Sequence, residues 1–151
     1  MAHKPALMTT TLWDFPSQQY GDESQGDKNY RGATPAYILW NLLQRYTKPG
    51  ELVVDPMAGS GTTLDVAREL KRRALGYDVN VTRKDIFNCD ARKLPLEDEK
   101  AAFVFLDPPY RMADAKGMLE TLRASGVLAE DALVVYEHAR IDAPDETGWR
   151  R

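Results

Sequence analysis

Four short apolar runs in this chain each end on an aspartate: Asp55, Asp78, Asp90 and Asp107. This repeat constrains the fold more than any other feature. A strand that is apolar along its length and acidic at its C-terminal tip belongs inside a sheet covered on both faces. In an open α/β sheet the carboxyl ends of the strands line the ligand crevice. One such aspartate reads equally well as a turn or capping residue. Four in sequential order point to an acidic crevice at one edge of a mostly parallel sheet.

The first run, Glu51–Pro56, leads into Met57-Ala58-Gly59-Ser60-Gly61-Thr62-Thr63 and then a helical pattern, with Leu64, Ala67 and Leu70 at helical spacing. Glu69 is placed to pair with Arg72 or Arg73 on the outer face. A strand, a glycine-rich turn and a helix open a nucleotide-type site. Gly59 and Gly61 let the backbone come close to a ligand, and the helix N-terminus offers free N–H groups. A dinucleotide fingerprint needs a third glycine where Leu64 stands, which disfavours a nicotinamide oxidoreductase. A phosphate loop needs a lysine where Thr62 stands. The turn therefore suits a ligand bearing a carboxylate and an amine, such as the methionine part of S-adenosylmethionine. Asp55 is the candidate partner for the ammonium, Asp78 for ribose hydroxyls, and Asp90 in the run 86–91 for the adenine amino group.

The fourth run, Ala101–Leu106, delivers Asp107-Pro108-Pro109-Tyr110. Asp107 can accept a hydrogen bond from an exocyclic amine. The prolines have no N–H and stiffen a tip rich in carbonyl acceptors, and Tyr110 can stack on a flat ring. An exocyclic amine on a nucleobase is a poor nucleophile because its lone pair is delocalised. Acceptors on its hydrogens localise that pair and stabilise the positive charge of the transition state.

Asp55-Pro-Met-Ala-Gly-Ser-Gly-Thr-Thr63 followed by Asp107-Pro-Pro-Tyr110 resembles the motif pair of the S-adenosylmethionine-dependent amino-methyltransferases that act on adenine N6 or cytosine N4 in DNA. Gly32–Trp40 resembles the helix before the cofactor strand in that family. The resemblance covers residues 9–110. It implies a Rossmann-like class I methyltransferase sheet and S-adenosylmethionine as cofactor. It assigns Thr34, Pro35, Asp55, Pro56, Met57, Ala58, Gly59, Gly61, Thr62, Asp78, Asp90 and Ala91 to the cofactor, and Asp107, Pro108, Pro109 and Tyr110 to catalysis. Downstream, Gly117–Ser125 and Ala132–His138 resemble the final helix and strand of the bacterial rRNA guanine-N2 methyltransferases, which also carry Asp-Pro-Pro-Tyr. DNA is thus the first expectation for the substrate and structured RNA the alternative. A non-catalytic cofactor-binding subunit is a third reading.

The remaining features set bounds. The 151 residues suit one domain, with 1–33 as a partly irregular N-terminal extension and 34–151 as the cofactor-binding core. Thr34 and Pro35 are a cap and first-turn pair for a helix whose apolar face is Ile38, Leu39, Leu42, Leu43 and Tyr46. Leu7–Phe15 is a candidate strand, and a further helix is expected from about Ala113 to Ser125. Only a few residues separate Asp78 from Asp85, too few for a crossover helix. The sheet is expected to stop after a strand at Leu133–Tyr136, leaving a truncated core with an open edge. That edge invites a homodimer or a separate specificity subunit.

Cys89 is the only cysteine and follows Asn88 in a strand-like run. It reads as a small buried hydrophobe, not as the nucleophile of a cytosine C5-methyltransferase. With two histidines besides, a metal site is not expected. The start lacks a signal peptide and no run is long enough to cross a membrane, so a cytoplasmic protein is expected. The net charge of −3 argues for weak nonspecific affinity for nucleic acid. Arg68, Lys71, Arg72 and Arg73 read as a solvated helix end. Arg83, Lys84, Arg92, Lys93 and Arg111 are better placed for a phosphate backbone.

Overall fold

The computed structural model describes residues 5–10, 13–15, 17–96, 99–109, 112, 115–138 and 149. Its elements, in chain order, are α1 (Ala36–Tyr46), β1 (Leu52–Asp55), α2 (Thr62–Glu69), β2 (Arg73–Asp78), β3 (Ile86–Asn88), β4 (Ala101–Leu106), α3 (Ala115–Ala124) and β5 (Leu128–Tyr136). A 3-10 turn covers Ala91–Lys93. The strands form one sheet in the order β3-β2-β1-β4-β5, and every pairing is parallel. This is the α/β sheet the acid-tipped runs predict.

Side-chain alternation on the central strands divides the core. Val53, Phe103 and Phe105 point to one face, where Leu39 and Leu43 of α1 and Val66 and Ala67 of α2 cover them. Val54 and Val104 point to the other, where Leu122 of α3 joins Leu96 and Val127. The layer on each face leaves the carboxyl ends of β1, β4 and β5 as the open edge.

Residues 79–85 join β2 to β3 without a helix. The register explains how so short a link makes a parallel pair. Ile86 lies opposite Gly76 and Asn88 opposite Asp78, so the chain steps back only two residues, about 7 Å. The sheet is consequently bare over β3. Phe87 is 55% exposed and lies against Tyr77, ring centroids 5.7 Å apart.

Several expectations need correction. Residues 5–10 and 13–15 form no strand. They lie along α1: the Met8 N–H donates to the buried Asn41 side chain at 2.7 Å, Phe15 stacks on Tyr37 at 5.0 Å, and Arg45 sits over Trp13. Sheet pairing loses to helix-surface contact there. β5 begins at Leu128, ahead of the expected Leu133, because Ala101 of β4 pairs with Leu128 before a register shift.

The expected solvated cluster after α2 contains a buried member. Arg72 donates to the Leu70, Leu43 and Thr47 carbonyls and to the Thr47 hydroxyl, closing the C-terminal end of α1. Glu69 accepts from the Tyr20 hydroxyl at 2.9 Å, and Arg73 reaches Glu99 at 2.5 Å, so neither expected Glu69–arginine pair forms. Lys71, at φ 62°, breaks the chain direction between α2 and β2.

Candidate active site

The tips of β1, β4 and β5 bring Asp55, Asp107 and Glu137 to one cavity of about 710 Å³. Residues 30–35 and the start of α1 form the opposite wall, and the glycine-rich turn forms the floor beside β1. Of the residues expected from sequence, Thr34, Pro35, Asp55, Met57, Ala58, Gly59, Thr62, Asp107, Pro108 and Pro109 line this cavity. Pro56, Gly61, Asp78, Asp90 and Ala91 do not. Tyr110 lies outside the described residues, as does Arg111.

Asp55 is 4% exposed. Burial pushes its carboxyl up to about 7, and the neighbouring Asp107 and Asp78 add to the effect. The Thr63 hydroxyl and the Met57 N–H, at 3.0 Å, hydrogen-bond to the carboxylate and oppose the rise. Asp107 is pushed up to about 6, first by burial and then by Glu137, against a 3.2 Å hydrogen bond from the Thr34 hydroxyl. Two buried carboxyls with raised proton affinity, facing one cavity, mark a site that gains from a cationic or N–H-rich ligand.

The glycine-rich turn is held from three directions. Asp78 accepts from the Gly59 N–H at 2.9 Å and from Asn80 at 2.8 Å, so this carboxylate braces the turn from behind. Asp27 N–H donates to the Ser60 carbonyl at 2.8 Å, and Gly26 N–H to Asp65 at 2.8 Å. Arg83 forks onto Asp65 at 2.7 and 2.8 Å and onto Asp85 at 2.9 and 2.8 Å. Gly61 has φ +80°, and a Cβ there would meet the Arg83 guanidinium at 2.5 Å. Gly61 thus leaves room for Arg83, not for a ligand. A Cβ on Gly59 would meet the Tyr30 hydroxyl at 2.9 Å, on the cavity side.

Asp90 sits beyond β3, which ends at Asn88. It caps the 3-10 turn, accepting from the Arg92 N–H at 2.9 Å and from its guanidinium at 2.9 and 2.6 Å. The carboxyl is held well below the usual carboxylate range by these bonds. Arg83 and Arg92, expected to meet phosphates, are both engaged with carboxylates of this chain. The Cys89 thiol donates to the Lys93 carbonyl at 3.2 Å, and among the described residues no His, Cys, Asp and Glu group could hold a metal.

Sequence reasoning did not single out Tyr30 as a cavity residue, nor Arg31, Ser60, Thr63, Phe105 and Glu137. Burial raises the Tyr30 hydroxyl pKa, with Asp78, Asp107 and Asp55 adding to it. Glu137 follows the run Leu133–Tyr136 and obeys the same rule that exposed the four aspartates, an acid at a strand end.

A family model described as DNA methylase matches residues 4–88, more than half of the chain. The chain belongs to the DNA methylase family. By the same measure it belongs to the family described as conserved hypothetical protein 95, whose model matches residues 65–149. The type II methyltransferase M.HindIII of Haemophilus influenzae is 40% identical over 72 residues, covering 47% of this chain and 22% of that protein. The DNA adenine methyltransferase YhdJ of Escherichia coli is 36% identical over 70 residues, covering 46% and 23%. The chain therefore spans under a quarter of the curated relatives it matches. In its crystal structure TrmN of Thermus thermophilus aligns with TM-score 0.59 at 25% identity, over 74% of this chain and 40% of TrmN.

The DNA methylase family and this fold carry S-adenosylmethionine as cofactor. The cavity fits it. The buried acid Asp55 faces the cavity and matches an ammonium.

Proposed function

We propose that this chain transfers a methyl group to the exocyclic amino nitrogen of a nucleobase, adenine N6 or cytosine N4 in DNA. The observation that carries the reading is the shared cavity: Asp107, Pro108 and Pro109 at the β4 tip face the same space as Asp55, Gly59 and Thr34. Bound S-adenosylmethionine supplies a methyl group activated by a positively charged sulfur. Asp55 would hold its ammonium, and Gly59 and Thr62 would receive its amino-acid end. Asp107, oriented by the Thr34 hydroxyl, accepts a hydrogen bond from the target amine. That bond strengthens as the nitrogen becomes cationic, which lowers the barrier. The base must leave its stack to enter the cavity, because its amine is otherwise paired. Tyr110 is assigned the stacking role by its place in the motif.

A second reading, guanine N2 in structured RNA, is favoured by one feature: Glu137 beside Asp107 gives two acceptors. Guanine presents adjacent N–H donors at N1 and N2, whereas adenine and cytosine pair a donor with an acceptor. The partner that supplies sequence specificity is a second copy or a separate subunit. Asp107→Ala tests the proposal. Methyl transfer should be lost with cofactor affinity nearly unchanged, whereas activity within a few-fold of wild type would remove Asp107 from the chemistry.

A further inference from the structure

We propose that Glu137 is a positioning residue of this site, acting through Asp107: its carboxylate, one strand over, keeps Asp107 able to take the proton that the methylated nitrogen sheds. The inference rests on the amino-methyltransferase reading above. An amino nitrogen that gains a methyl group becomes cationic. One N–H bond then breaks with its electron pair left on nitrogen, and an O–H bond forms on a carboxylate.

The register sets the geometry. Leu106 pairs with Tyr136, and the Glu137 N–H donates to the Leu106 carbonyl at 2.9 Å. Asp107 and Glu137 are therefore the next residues out on adjacent parallel strands, and both line the cavity. The other charged or titratable groups lining it are Asp55 on β1 and Tyr30 and Arg31 on the facing wall, among the described residues. Thr34, two residues before α1, donates to Asp107 and works against protonation. Glu137 is the charged neighbour that favours it, secondary only to burial. Asp107 is the base of this step, and the methylated nitrogen is acid enough to give it a proton. A like charge alongside raises the carboxylate's proton affinity towards the working pH, where general-base action is most effective.

The test is a carbon-detected NMR titration of the Asp107 carboxyl in the full chain, run beside the pH dependence of kcat. In wild type the Asp107 midpoint and the acid limb of kcat should fall together near about 6. In Glu137→Gln both should move down by about one pH unit. The Asp107 midpoint stays above its ordinary value because burial persists, and kcat at neutral pH falls several-fold with cofactor KM unchanged. Glu137→Asp, which keeps the charge, should restore most of the shift. Should Glu137→Gln not fold, Glu137→Ser takes its place, and an Asp107 midpoint unmoved by loss of the charge refutes the coupling. An active wild type whose Asp107 midpoint is unmoved by Glu137→Gln overturns this inference alone. A wild type that methylates no nucleobase overturns the functional reading and this inference with it.

Discussion

Replacing Asp55 with asparagine should stabilise this protein at high pH and leave it nearly unchanged at low pH. Asp55 is 4% exposed, and its carboxyl titrates near about 7 against an ordinary 3.8. The native state therefore binds the proton more tightly than the unfolded chain does. The stabilisation this gives is fully present below pH 3.8 and is lost progressively as pH rises through about 7. Above that, the ionised buried group costs the fold about 4 kcal/mol relative to its protonated form. Asparagine keeps an acceptor for the Met57 N–H and carries no charge. Between pH 5 and pH 8 the advantage of Asp55→Asn should grow by about 3 kcal/mol. Urea unfolding of both proteins at several pH values measures this directly. Parallel stability curves would refute the argument, because they would mean that Asp55 ionises in the native state as it does in water. The same residue predicts the functional side. A cation seated against Asp55 offsets its desolvation, so S-adenosylmethionine should raise the melting temperature of wild type at pH 8 and do so far less for Asp55→Asn.

Other predictions follow from single contacts. Gly61→Val should abolish cofactor binding indirectly, since the new Cβ displaces Arg83 and forces a branched residue to φ +80°. Arg83→Met should reproduce the loss of affinity measured by calorimetry, and full affinity in Arg83→Met would contradict the clamp. Phe103 of β4 is fully buried in the core with Val53 of β1 and Leu39 and Leu43 of α1, so Phe103→Ala should cost about 3–5 kcal/mol in chemical denaturation. Among the described residues β5 pairs only with β4. Light scattering should therefore show self-association rising with concentration, and a monomer with exchange-protected β5 amides would show that the edge is covered.

What was legible in the sequence was whatever one strand and its tip determine. Apolar runs ending at Asp55, Asp78 and Asp107 became β1, β2 and β4, and the short span after Asp78 excluded a crossover helix. What was not legible depended on which distant groups meet. Arg72 looks like one of four solvated cations, and only the fold brings the Leu43 and Thr47 carbonyls of α1 to it. Asp90 looks like a fourth strand-end acid, yet Arg92 two residues on captures it in a local cap. Gly61 looks like a ligand cradle because sequence does not show that Arg83 fills its space. The N-terminal aromatics carry no period that separates a strand from a segment lying along α1, and Phe15 chose Tyr37. Glu137 was legible as one more acid at the end of an apolar run, one residue past the expected strand Leu133–Tyr136.

The central claim is methyl transfer to an exocyclic amine, and one measurement meets it head on. The full chain is incubated with methyl-labelled S-adenosylmethionine and either DNA or structured RNA, and the nucleic acid is digested to nucleosides and resolved by mass. The account predicts label on N6-methyladenine or N4-methylcytosine from DNA, or on N2-methylguanine from RNA under the second reading, and none with Asp107→Ala. Label on a ring carbon such as cytosine C5, or label that persists in Asp107→Ala, would contradict it.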